Sequence, residues 1–469
     1  MQKNEIYTQT ITDLGYNGEG IAKIDGITCF VPFTLIGEKV EFKVLKVAGS
    51  IAYCKQLQIL TPADNRVRPK CAVFTKCGGC QLQHQKYSEQ LRLKRKTIKI
   101  CFKKIANLDV SVLPVAHSDS EYEYRNKLQL PVREQKGVVT FGFFAENSHR
   151  IIDIQSCPIQ QSWTEEIIKV MRKYMYYYNI SAYNDETKQG LIKHIVARNV
   201  SGNILLVIVI NGKKLPFYKK LIEMINENIH NFSLFISENT LDNNVILGKE
   251  IKLLYGKENY SAIDNGIKYS IGPASFMQVN DNVRSKLYNE VIKCADLTEN
   301  SVCIDAYSGA GLLTAMLAKK CKKAIGIEIV PEAVKNADIL RDENDLQDKM
   351  VNYLGACEDV LPSIISKCRQ DENEIVLVLD PPRKGCDKKV LESIIEAKPD
   401  KIIYVSCSPQ SLARDVGILV DKLKYEENKI IRNESESPVY QVERVKPFDL
   451  FPQTRHVETV VVLSKINKV

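Results

Sequence analysis

The chain contains no run of eighteen apolar residues, so nothing in it reads as a membrane-spanning helix. Its first residues, Met1-Gln-Lys-Asn-Glu5, lead into polar alternation without the apolar stretch of a secretory signal, and a cytoplasmic location is expected. In that compartment the fourteen cysteines are expected as thiols, metal ligands or nucleophiles, not as a disulfide framework. Tryptophan is nearly absent. Trp163 is the only one, and with the aromatic run Tyr174 to Tyr178 it reads as packing rather than as a platform for stacking bases. Charge is not strongly one-sided: a formal net charge of +8 permits a nucleic-acid partner without requiring one. With 44% hydrophobic and 26% charged residues, wholesale disorder is excluded. Nothing in the sequence points to an obligate protein partner, and oligomeric state is not legible.

A length of 469 residues suggests two or three domains. Residues 1–60 read as a small β-barrel of the OB type: short alternating strands such as Ile27 to Val31 and Lys39 to Leu45, with the glycine-rich turn Leu14-Gly-Tyr-Asn-Gly-Glu-Gly20. Residues 61–265 read as an α+β central domain, with strands expected at Lys127 to Val132, Val138 to Phe144 and Ile204 to Ile210. Near its start, Lys86 to Lys104 is a basic, helical-looking run, suited equally to RNA and to a solvated helix face.

The central region opens on Cys71-Ala-Val-Phe-Thr-Lys-Cys-Gly-Gly-Cys80. Two residues between Cys77 and Cys80 let both thiolates reach one metal centre, and the paired glycines allow the tight backbone. Cys71 can add a third ligand, and Cys157, followed by Pro158, is the candidate fourth. Spacing leaves zinc, an iron–sulfur cluster and a Cys-x-x-Cys redox pair all open.

From residue 266 to 469 strands and helices alternate as in a Rossmann-like α/β domain. Ser301 to Tyr307 is a strand, Ser308-Gly-Ala-Gly311 a turn, Leu312 to Lys319 a helix and Lys323 to Glu328 the next strand. The turn lacks the third glycine of the dinucleotide fingerprint, which argues against NAD. Upstream, Ala274 to Asn280 opens a helical segment whose Gln278 amide could bond a ligand or cap the helix. Downstream, Ile375 to Leu379 and Lys401 to Ser406 are apolar runs that stop at Asp380 and Cys407, the pattern of buried parallel strands ending at a functional edge.

Taken together, Phe276-x-Gln-x-Asn280, Asp305-x-Tyr-x-Gly-x-Gly311, Asp380-Pro-Pro-Arg-x-Gly385, Ser406-Cys-x-Pro409 and Phe448-Asp-Leu-Phe-Pro-x-Thr-x-His-x-Glu458 resemble the RNA uracil-5 methyltransferase family. The amino-terminal pattern Leu14-Gly-x-x-Gly-Glu-Gly-Ile-Ala22 resembles the TRAM domain appended to RNA-modifying enzymes. The resemblance runs over nearly the entire chain and is nearest to the bacterial subgroup acting on large-subunit (23S) ribosomal RNA. It implies a class I methyltransferase domain, C5-methylation of a uridine with S-adenosylmethionine, and RNA as partner. By residue-by-residue match it implies Cys407 as nucleophile, Glu458 as general base, and Gln278, Tyr307, Glu328 and Asp380 as methyl-donor contacts. It further implies a [4Fe–4S] cluster on Cys71, Cys77, Cys80 and Cys157.

The chemistry suits these residue types: a thiolate that adds at C6 activates C5, and a base then removes the C5 proton. Since a free thiol is only a few per cent ionised at neutral pH, the site is expected to help ionise Cys407. A transfer-RNA substrate, a cytosine-5 methyltransferase and a non-catalytic RNA-binding iron–sulfur protein are the rival readings. Intact Cys407, Glu458 and Asp380 speak against the last.

Overall fold

The computed structural model describes residues 1–469 apart from 276, 371–372, 428, 434–437 and 467–469. Phe276 of the motif above therefore lies outside the described residues. Among the rest, strands β1 (Ile6–Thr10), β2 (Asp13–Leu14), β3 (Gly20–Ile24), β4 (Ile27–Val31), β5 (Lys39–Ala48) and β6 (Ile51–Thr61) form a six-stranded sheet in the order β1-β5-β6-β4-β3-β2. Alternation along β5 buries Val40, Phe42 and Val44, and with Ala22, Cys29 and Val31 they make a core belonging to this module alone.

Helix α1 (Tyr87–Ala106) follows. Ile98, Cys101, Phe102 and Ala106 recur at the spacing of one helical face, and that face packs into the core of the C-terminal sheet. The basic run it carries is neither wholly solvated nor wholly free for RNA. Lys94 is buried against Asp449 at 2.6 Å, Lys96 reaches Asp13 of the first module at 2.7 Å, and Arg95 Nε donates to the Val112 carbonyl at 2.7 Å.

The central layer comprises β7 (Lys127–Gln135), β8 (Val138–Phe144), β9 (Ile151–Asp153), α2 (Trp163–Tyr177), β10 (Ile192–Val200), β11 (Asn203–Ile210), α3 (Tyr218–Asn226), β12 (Phe232–Glu238) and β13 (Ile251–Tyr255). Its seven-stranded sheet has the order β13-β12-β11-β10-β7-β8-β9 and is antiparallel except between β11 and β12. Strands β10 and β11 are buried almost throughout because both faces are covered, and β11 is apolar along nearly its whole length. Ile195, Ala197, Leu206 and Ile208 pack beneath α2 and α3. Val196, Val200, Leu205 and Val207 join the C-terminal domain's core from the other side.

The hairpin β14 (Tyr260–Asp264) and β15 (Ile267–Ile271) and helix α4 (Asp281–Ala295) lead into the last layer. It is built from β16 (Ser301–Ala306), α5 (Leu312–Ala318), β17 (Lys323–Glu328), α6 (Pro331–Glu343), β18 (Met350–Leu354), α7 (Cys357–Gln370), β19 (Glu374–Leu379), α8 (Lys388–Ala397) and β20 (Lys401–Ser406). There follow α9 (Pro409–Leu419), the small hairpin β21 (Leu423–Glu426) and β22 (Lys429–Arg432), then β23 (Tyr440–Phe448) and β24 (Glu458–Lys465). The sheet order is β18-β17-β16-β19-β20-β24-β23, with β24 antiparallel to both its neighbours. From β16 the chain crosses to β17 on one side and later returns to β19 on the other. The carboxyl ends of β16 and β19 therefore diverge into a crevice at the point where the order reverses, the place where open α/β sheets take ligands.

Candidate active site

The crevice begins where β16 ends. Asp305 is buried there and accepts a 2.6 Å hydrogen bond from the Thr314 hydroxyl. Burial, aided by the nearby carboxylates Asp380 and Glu328, lifts it to about 7 against that bond. The turn that follows needs glycine at Gly311 for two reasons: its φ is +79°, and a Cβ there would sit 2.8 Å from the Ala337 Cβ. A Cβ on Gly309 would meet only open space, so the turn's outer side is free to face a ligand.

Glu328, at the end of β17, accepts Gly309 N at 3.0 Å and Val330 N at 2.8 Å, which fixes the carboxylate at the turn's rim. Beside it Ile329 is 65% exposed, and Leu354, ending the next strand, is 56% exposed. An amide-oriented carboxylate flanked by bare apolar surface suits a ribose carrying a flat ring. Tyr307 is held at a φ of +70° with its hydroxyl among the Cys386 and Cys357 thiols, and burial raises its pKa. Gln278 is half-buried, and the residue that caps α4 is Asn280, whose Oδ1 accepts Val283 N at 3.3 Å. The capping alternative for Gln278 is thereby removed.

Three further strand ends assemble the second half of the site. Ser406 pairs with Thr459, so Cys407, one residue beyond, stands beside Glu458, one residue before. Asp380 ends β19 next to them. It is solvent-accessible yet ringed by protein, as a carboxylate on a cleft floor must be, and that enclosure lifts it to about 7. Glu458 is buried; desolvation, with Asp380 adding repulsion and Arg383 opposing, pushes it up to about 8.

The Cys407 thiol is likewise raised, by burial first and then by Glu458, with the Arg383 guanidinium pulling the other way. This corrects the expectation that the site ionises the thiol. Two carboxyl groups face it and one cation answers them, which disfavours the thiolate in the RNA-free protein.

Arg383 is positioned from beneath. Gly385, at φ +82°, closes a turn through a 2.8 Å bond to the Pro382 carbonyl. Ser411 Oγ holds the Arg383 carbonyl at 2.9 Å, and buried Asp415 accepts Cys386 N at 2.9 Å and the Tyr404 hydroxyl at 2.5 Å.

The segment Asp449–Val457, which leads into Glu458, is clamped by residues that sequence reasoning missed. Asp449 receives Lys94 Nζ at 2.6 Å and the Tyr87 hydroxyl at 2.9 Å, both from α1. Gln453, strained at a φ of +70°, exchanges hydrogen bonds with Gln90, and its carbonyl takes Gln81 N at 3.2 Å and Leu82 N at 3.0 Å. Polar residues more than 350 positions apart carried no sequence signal of this clamp.

Cys71, Cys77, Cys80 and Cys157 line one mostly apolar cavity of about 170 Å³, together with Phe74, Phe143 and Ile154. Among the described residues no three of these donors converge tightly enough for a single metal ion. The four thiols share this one cavity. Burial raises Cys80 to about 12 and Cys157 to about 11, so in the absence of a cationic group these thiols stay protonated.

Comparisons with known proteins agree with this layout. Residues 86–466 match the family model described as tRNA (Uracil-5-)-methyltransferase, and residues 2–53 match the TRAM domain. A Clostridium tetani protein described as an uncharacterized RNA methyltransferase is 39% identical over 467 residues, spanning 99% of this chain and 97% of its own. A Clostridium acetobutylicum protein of the same description is 40% identical over 474 residues, spanning 100% and 99%. Among solved structures, the Pyrococcus abyssi tRNA (uracil-54, C5)-methyltransferase in complex with S-adenosyl-L-homocysteine has the same fold. Its TM-score is 0.74 at 24% identity, over 97% of this chain and 100% of that one.

Proposed function

Because the chain belongs to the tRNA (uracil-5-)-methyltransferase family and is an RNA methyltransferase, we propose that it methylates C5 of a specific uridine in 23S ribosomal RNA through a Cys407–C6 adduct. The observation that carries this reading is the pairing of Cys407 with Glu458 across β20 and β24, beside Asp380. Uracil C5 is a weak nucleophile. The Cys407 thiolate adds at C6, and the electron pair of the C5–C6 double bond moves toward the ring carbonyl, which makes C5 reactive. S-adenosylmethionine would be held by Tyr307, Glu328, Asp380 and Gln278 and would supply the electrophilic methyl group, leaving as S-adenosylhomocysteine. Glu458 then takes the C5 proton, the double bond re-forms, and the C6–sulfur bond breaks to return the thiolate. A uracil cannot reach this recess from within a stack, so the target is unpaired or flipped out.

Cys71, Cys77, Cys80 and Cys157 are assigned to a [4Fe–4S] cluster, for which four thiols around an apolar cavity are the support. When bound it would brace the cysteine loop. That loop's next residues, Gln81 and Leu82, hold the segment leading to Glu458.

Ribosomal RNA is favoured by the combination of the amino-terminal module and the cysteine loop. Transfer RNA is the second reading. The Pyrococcus abyssi enzyme named for tRNA spans 97% of this chain, so the added module does not by itself separate the substrates. The test is tritium release from C5-labelled uracil in both transcripts, with wild type and Cys407→Ala. Cys407-dependent release from ribosomal RNA is expected. Release from transfer RNA alone reverses the substrate, and release from neither refutes the reading.

A further inference from the structure

Helices α2 and α3 cover the face of the central sheet opposite the C-terminal domain, and their surface is unusual. The expectation that the Tyr174 to Tyr178 run is packing holds for Tyr174, which is buried with its hydroxyl bonded to the Pro216 carbonyl. It fails for the next turn: Tyr176 is 82% and Tyr177 68% exposed, their rings in edge contact at 5.6 Å. Tyr178 stacks on Phe217 from the start of α3, with centroids 5.0 Å apart and planes 25° apart. Phe217 itself stands at a φ of +52° and is 58% exposed. A bulky side chain in that backbone region is strained, and although its carbonyl starts α3 and its ring meets Tyr178, more than half of the residue is left in water.

Lysines flank these rings along the chain. Lys173 lies one helical turn before Tyr177, Lys213 and Lys214 stand in the loop before Phe217, and Lys219 is the second residue of α3. All four are exposed, and among the described residues none has a carboxylate within ion-pair distance. Exposed rings with unneutralised lysines are the two components by which proteins hold single-stranded nucleic acid: faces for stacking and charge for the backbone.

We infer that the surface formed by Tyr176, Tyr177 and Phe217 with Lys173, Lys213, Lys214 and Lys219 binds an unpaired segment of the substrate RNA, remote from the methylated uridine. The assignment rests on the RNA reading above and adds a second anchoring point. Because the central sheet lies between this surface and the C-terminal core, a short target loop cannot fill both at once. The anchor serves only longer RNA.

The experiment measures Kd and methylation kinetics for a long substrate RNA and for the shortest target loop that is methylated. Wild type is compared with Tyr177→Ala/Phe217→Asn, asparagine being tolerant of that backbone region, and with Lys213→Gln/Lys214→Gln. The aromatic pair should raise Kd for the long RNA about tenfold or more with an unchanged salt slope. The lysine pair should raise it too while lowering the slope by roughly one to two. Both should leave kcat and the Kd of the short loop at wild-type values. Unchanged Kd for the long RNA in both variants, or equal losses on both RNAs, overturns the assignment. Unchanged RNA affinity together with loss of a ribosomal protein from the complex gives the surface to a protein instead. Failure of wild type to bind or methylate either RNA would refute the proposed function itself.

Discussion

Glu458 offers the sharpest test of how the site works. Its proton is held up to about 8 by burial and by Asp380. Only about one tenth of the carboxyl is then ionised at pH 7 and about nine tenths at pH 9. If Glu458 removes the C5 proton, that step should quicken roughly tenfold between these pH values and level off above them. The assay is single-turnover release of tritium from C5-labelled RNA, started from the preformed covalent complex so that the Cys407 ionisation does not enter. Glu458→Gln should slow release about 100- to 10,000-fold and leave an SDS-resistant RNA–protein adduct. Arg383→Gln removes the cation that opposes the rise, so the profile should move to higher pH, by no more than about one unit because Arg383 is exposed. Release that is flat from pH 6.5 to 9.5, or wild-type release from Glu458→Gln, would sink the argument.

The same group bears on stability. Glu458 binds its proton more tightly folded than unfolded, so its contribution is complete below the ordinary carboxylate range and is lost as pH rises through about 8. Urea unfolding should show stability falling over that window, and Glu458→Gln should remove a fall of at most roughly 4 to 5 kcal/mol. Lys94→Met removes the cation from its buried pair with Asp449, and the same measurement should find a loss of about 3–5 kcal/mol. Gly311→Ala should weaken S-adenosylmethionine binding about tenfold or more in equilibrium dialysis, because the added methyl is both strained and short of space. Protein purified without oxygen should be brown with about four iron atoms per chain, and Cys80→Ser should lose them. Stoichiometric zinc with no iron would replace the cluster assignment.

Much of the C-terminal layer was legible because buried parallel strands read as apolar runs with abrupt polar ends. Leu379 to Asp380 and Ser406 to Cys407 are such ends, and both fall at the crevice. That Glu458 stands beside Cys407 was not legible from spacing. It depends on β24 running antiparallel between two strands, which no local pattern announces. The basic run of α1 misled in the other direction. Lys94 and Lys96 looked available because their partners, Asp449 and Asp13, arrive from other parts of the chain. Tyr177 and Tyr174 are three residues apart on one helix, and which of them is exposed is decided by where α3 lies.

The place of β24 has a consequence for biosynthesis. The ribosome completes it after every other strand of its sheet, yet it belongs between β20 and β23, and β23 has no other neighbour there. Until it emerges, one edge of β20 is open and the thiol at that strand's end lacks Glu458 beside it. A nascent chain can thus have its RNA-binding module folded while its reaction centre does not yet exist. Closing the sheet and setting Glu458 beside Cys407 are one event, so a chain that stalls early carries the thiol without the group proposed to free RNA from it.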